Sequence, residues 1–95
     1  MYRLFLFYMN PEQIKSFKEK LEQTHAWPML YLFKFIVPKG KEEEVRHLFI
    51  RHPPTEKSSQ NGNFTSFTVQ IMMHSSDAVI EVYQQAAAIE GIIAL

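Results

Sequence analysis

Residues 29–95 are predicted to form an α+β domain of order β-α-β-β-α-β, on three observations. Residues 30–37 and 64–73 alternate with the two-residue period of strands. Two further segments, one opening on Glu42 and one behind Ser75 or Ser76, carry apolar residues at helical spacing and run into proline or glycine. Between a short polar segment and the second long strand lies Asn61-Gly62, the dipeptide best suited to a tight hairpin. That order is the ferredoxin-like split βαβ, with a four-stranded antiparallel sheet.

The elements follow in order. Residues 1–9 read as an apolar N-terminal extension. Their longest apolar run, residues 4–9, is too short for a signal-sequence core or a bilayer span. Residues 10–28 form an N-terminal helix and linker. Asn10 suits the N-cap, Pro11 the first helical position, and Gln13 closes a capping box. Because this cap is so complete, Met9 is expected to be the natural start and residues 1–8 an upstream addition; the rival is a short strand on a sheet edge. Ile14, Phe17 and Leu21 make the apolar stripe of the helix. Lys15 with Glu19, and Lys18 with Glu22, are spaced as i,i+4 ion pairs. The helix should end near Thr24, before Trp27-Pro28.

In the first strand Tyr31, Phe33, Phe35 and Val37 share one face, and Leu32, Lys34 and Ile36 the other. Pro38-Lys39-Gly40 breaks it. The helix of residues 42–51 turns Val45, Leu48 and Phe49 inward, and its acidic start and basic end suit the helix dipole. Pro53-Pro54 forbids its continuation. Residues 55–59 are short and polar, as an edge strand should be. Phe67, Val69, Ile71 and Met73 form one face of the longest strand; Phe64, Ser66, Thr68, Gln70 and Met72 form the other. Ser75 or Ser76 caps the last helix, whose inward residues are Val79, Val82, Tyr83, Ala86 and Ile89. Gly91 stops it, and residues 92–95 are the final strand. Right-handed crossovers put both crossover helices on one sheet face. The opposite face is expected to be covered by the Ile14, Phe17 and Leu21 helix or, failing that, by a second subunit or a ligand.

Composition narrows the function. The chain has 95 residues, 46% of them hydrophobic and 14% aromatic, enough for one core without staples. Ten basic and ten acidic residues cancel, so no overall field draws it to nucleic acid or a membrane, and self-association is favoured. It has no cysteine, which rules out disulfides, thiolate chemistry and Cys-ligated zinc, and fits a cytoplasmic protein.

A resemblance enters at this point. Phe33-Lys34, His52, Ser58-Ser59, Gly62-Asn63-Phe64-Thr65-Ser66, Thr68-Val69 and Tyr83 resemble the YbeD-like family of small bacterial proteins of unknown function. The resemblance spans residues 27–95 and is strongest in the Ser-Ser-x-x-Gly-x-aromatic-x-Ser hairpin. Trp27-Pro28 and the strand from Tyr31 look like the Bacteroidetes branch of that family. The resemblance implies a ferredoxin-like fold similar to ACT-type regulatory domains, and carries no catalytic residues. Here the stretch between His52 and Ser58 is shorter than in the proteobacterial members. Pro38-Lys39-Gly40 replaces a glycine directly after the first strand, which weakens any transfer of an ACT-type ligand loop.

Chemistry-bearing constellations are few. His47 and His52, five apart, are poorly spaced as a ligand pair and read as surface or helix-end histidines. His74, Ser75 and Asp77 read as a helix start, not a triad. Lys39 and Lys41 flank Gly40, but three following glutamates argue against an anion site. No catalytic residue, metal or cofactor is expected, and no acid–base pair supports an enzyme. The candidate ligand or partner face comprises Lys34, Ser58, Ser59, Asn61, Gly62, Phe64, Ser66 and Thr68. The expected function is a small regulatory or protein-interaction module, acting as a homodimer or on a protein partner or small ligand. The alternative is an RNA-associated protein using the open sheet, against which stand the missing RNP pattern and the zero net charge.

Overall fold

The structure, a computed structural model, describes residues 10–95; the proposed extension of residues 1–9, with its Met9 start and its edge-strand rival, lies outside them. The elements are α1 (Pro11–Thr24), β1 (Met29–Pro38), α2 (Glu42–Leu48), β2 (Thr55–Ser58), β3 (Phe64–Met73), α3 (Ser76–Ala86) and β4 (Ile93–Ala94). The sheet order is β2-β3-β1-β4, with every neighbouring pair antiparallel. This is the ferredoxin-like α+β fold with an added N-terminal helix.

Alternation decides what each strand buries. Tyr31, Phe33, Phe35 and Val37 turn to the helix side, where they meet Phe67, Val69 and Met73 of β3. The register sets Phe35 opposite Phe67 and Ala94. Val45 of α2 and Phe49 just beyond it close the core, with Val79, Tyr83 and Ala86 of α3. The aromatic rings form one connected set: Tyr83 stands edge-on to Phe33 at 5.4 Å and to Phe35 at 5.8 Å.

The helix starts follow their cap chemistry. The Asn10 side chain accepts from the Gln13 N–H at 2.9 Å, and the Gln13 side chain accepts from the Asn10 N–H at 3.0 Å. Ser75 caps α3 by accepting from the Ala78 N–H at 3.1 Å.

One expectation is overturned: α1 does not cover the free face of the sheet. It lies on the helix side, against α3. Phe17 packs edge-on to Tyr83 at 6.3 Å, and Phe17 and Leu21 are buried. The expected Lys18–Glu22 pair does not form; Lys18 instead bonds Asp77 at 3.0 Å, and Glu22 accepts from the buried Ser76 hydroxyl. The narrow stripe of α1 finds an aromatic partner in Tyr83, whereas the free face offers Lys34, Ser66, Thr68 and Gln70 among its apolar residues. This docking also explains why Ile80 is buried beside the expected residues of α3: Ser76, Ile80 and Tyr83 are spaced along one stripe.

Other boundaries shift. α2 stops at Leu48, not Arg51: Phe49 leaves helical geometry (φ −109°, ψ 38°) as its ring packs against Phe33 and Phe35. β2 ends at Ser58, and β4 has only two residues.

Three glycines, Gly40, Gly62 and Gly91, hold positive φ, and of these only Gly91 is also crowded. Gly62 (φ 77°) turns the hairpin with nothing near its missing Cβ; at Gly91 (φ 79°) a Cβ would meet Pro38 Cγ at 2.7 Å. Gly62→Ala should therefore cost only the left-handed backbone, about 1 kcal/mol, and Gly91→Ala measurably more. Urea midpoints check this; equal losses would mean that the Pro38 contact is not tight.

Candidate functional site

The register assembles the free face. Leu30, Leu32, Lys34 and Ile36 of β1 alternate away from the core and lie opposite Met72, Gln70, Thr68 and Ser66 of β3. Phe64 continues the β3 row, Thr55 and Lys57 add the β2 edge, and Ile93 stands opposite Ile36. Large apolar side chains are exposed there: Leu30 by 53%, Met72 by 50%, Phe64 by 45%. Isolated exposed leucines are ordinary; here several large apolar side chains share one sheet face with polar neighbours.

Of the residues expected at a ligand or partner face, the sheet brings Lys34, Phe64, Ser66 and Thr68 together, with Lys34 directly opposite Thr68. Ser58 does not join them. It pairs with the buried Thr65, and so turns to the helix side. Ser59, Asn61 and Gly62 build the hairpin. The Ser59 hydroxyl accepts from the Phe64 N–H at 3.1 Å and donates to Asn61 Oδ1 at 3.2 Å, while the Gly62 N–H donates to the Ser59 carbonyl at 3.0 Å. Their polar groups are spent on the turn.

Sequence reasoning missed a recess at the corner of this face. Leu32, Thr68, Val69 and Gln70 form its floor, and Arg51, His52, Pro53 and Thr55 its wall, around about 560 Å³. The early end of α2 places Arg51 and His52 there, which a helix running to residue 51 conceals. No signal in the sequence marks that change.

The helix side uses its charges internally. Arg46 bonds both carboxylate oxygens of Glu56 at 2.7 Å and also pairs with Glu43, tying α2 to β2. The Arg46 hydrogen bond holds the Glu56 carboxyl below its usual range. Glu42 fills the turn after β1. One oxygen accepts from the Gly40 N–H and the other from the Thr65 hydroxyl, both at 2.8 Å. Hydrogen bonds from its own backbone N–H, from Thr65 and from Gly40 hold its carboxyl below the usual range. A lowered folded pKa means stability that is fully present above the unfolded carboxylate range and lost as pH falls through the folded value. Glu42→Gln should thus flatten the acid limb of the stability–pH curve, read from urea midpoints between neutral and acid pH. An unchanged acid limb would remove Glu42 from that account.

Among the described residues, no three His, Asp or Glu side chains are grouped to hold a metal, and no helix is long and apolar enough to cross a membrane.

Known proteins place the chain in a family. Residues 22–95 match the family described as "Protein of unknown function (DUF493)". The chain belongs to the DUF493 family. It is 36% identical over 80 residues to a UPF0250 protein of Shewanella sediminis (strain HAW-EB3), covering 77% of this chain and 91% of that one. It is also 36% identical over 47 residues to a UPF0250 protein of Shewanella loihica (strain ATCC BAA-1088 / PV-4), covering 50% of this chain and 53% of that one. No solved structure matches it. The resemblance to the YbeD-like proteins, read from the hairpin and its strands, is borne out. The DUF493 match begins at Glu22 and takes in the whole sheet, its free face and the Glu42 turn, but little of α1.

Proposed function

We propose that the protein is a small binding module that works by association through the free face of its sheet, not by chemistry. One observation carries this reading: the face is left uncovered by α1 and exposes Leu30, Leu32, Phe64 and Met72 around a central lysine. Its occupant is a second copy, a protein partner or a small ligand, and its role is regulatory. A cytoplasmic location fits the chain without cysteine. The RNA-associated alternative rests on Phe64, the one aromatic ring of the face among the described residues, with Lys34 on the same surface.

The test is a backbone-amide NMR titration of the full chain, first with itself by raising concentration, then with a neutral amphipathic leucine–glutamine peptide. Shifts confined to β1 and β3 that vanish in Leu32→Ser/Met72→Ser are expected. Shifts confined to the helices would overturn the reading.

A further inference from the structure

The chain is neutral overall, but its acidic side chains are gathered on the helix side. Nine of its ten acidic side chains lie on the three helices or in the turn after α3. The tenth, Glu56, is opposite the core residue Phe67 and turned to the helix side, where Arg46 holds it. The free face therefore carries no Asp or Glu side chain. It carries Lys34 at its centre and Lys57 on the β2 edge, and Arg51 and His52 line the corner recess. Lys34, Lys57 and Arg51 make no ion pair among the described residues. Beside these cations, the hydroxyls of Thr55 and Thr68 border the same recess.

We infer that the occupant of this face is an acidic amphipathic polypeptide segment of another protein, its apolar side chains on Leu30, Leu32 and Met72 and its carboxylates on Lys34 and in the Arg51/Thr55/Thr68 recess. The inference rests on the association reading and adds the chemistry of the partner. Charge complementarity selects among occupants. Face-to-face pairing of two copies sets two cationic surfaces together and desolvates Lys34 without a counter-charge. A nucleic acid meets the cations but, among the described residues, gains only Phe64 for stacking, and leaves the aliphatic patch without a use. An acidic amphipathic segment satisfies both the aliphatic residues and the cations.

Three peptides of one amphipathic pattern, with glutamate, glutamine or lysine on the polar flanks, are titrated into the full chain, with a single-stranded oligouridine alongside. The glutamate peptide is expected to bind roughly tenfold tighter than the glutamine peptide, from a few exposed ion pairs acting together. Added salt should erase the difference. Lys34→Glu and Arg51→Glu, both at exposed positions, should reverse the preference toward the lysine peptide while leaving the melting temperature near wild type. Equal binding of all three peptides overturns the inference and leaves the association reading standing. A salt-resistant dimer through this face that excludes every peptide, or tighter binding of the oligouridine, also overturns it. Failure of any probe to shift the sheet face removes both readings.

Discussion

Phe35→Ala is expected to destabilise the protein by roughly 3–5 kcal/mol, as truncation of a buried aromatic ring does. The position leaves little room for relaxation. Phe35 is fully buried in a central strand, opposite Phe67 on one side and Ala94 on the other. Its ring lies 5.9 Å from Phe49 and 5.8 Å from Tyr83, so the cavity opens where strand and helix layers meet. Stability of a domain this size is on the order of 5–15 kcal/mol, and the loss is a large part of it. Leu32→Ala is the control. Leu32 sits on the same strand but is 41% exposed on the other face, and its loss should stay near or below about 1 kcal/mol. Urea denaturation of the two variants reads the strand's facing directly. Similar midpoints would show that β1 does not bury the Phe33 and Phe35 side.

Tyr83→Ala should be comparably severe, roughly 3–5 kcal/mol on the same grounds of ring burial, with a second consequence. Tyr83 is 1% exposed and touches the rings of Tyr31, Phe33 and Phe35 from the sheet and Phe17 from α1. It is the ring on which α1 docks. Amide exchange in α1 should therefore accelerate more than exchange in β3, and more than overall destabilisation accounts for. Tyr83→Phe keeps the ring and loses the hydroxyl, which lies 3.3 Å from that of Tyr31; about 1 kcal/mol is expected. If α1 exchanges no faster than β3 in Tyr83→Ala, its attachment lies elsewhere.

What the sequence disclosed depended on how local the cause was. Strand facing was legible because alternation along 64–73 needs no knowledge of a partner. The Asn10–Gln13 capping box was legible because both its bonds close within four residues. The place of α1 was not, since Ile14, Phe17 and Leu21 state only that a stripe must be buried. The choice between the free sheet face and α3 was made by Tyr83, Asp77 and Ser76, more than fifty positions away. Part of the candidate face was legible by the same division. Lys34, Ser66 and Thr68 follow from alternation, whereas Ser58 was misplaced because β2 is too short and too polar to show its own phase. The corner recess stayed hidden because it depends on where Phe49 leaves α2.

The turn after β1 holds a further consequence. Its Gly40 N–H and the Thr65 hydroxyl converge as an anion receptor would, but the Glu42 carboxylate already occupies them. A tethered ligand of this kind acts at an effective concentration on the order of millimolar or above. A dissolved phosphate or carboxylate must outcompete a resident that cannot diffuse away, so the turn is self-inhibited as a receptor. On the proposed reading, recognition then falls to the opposite side of the sheet.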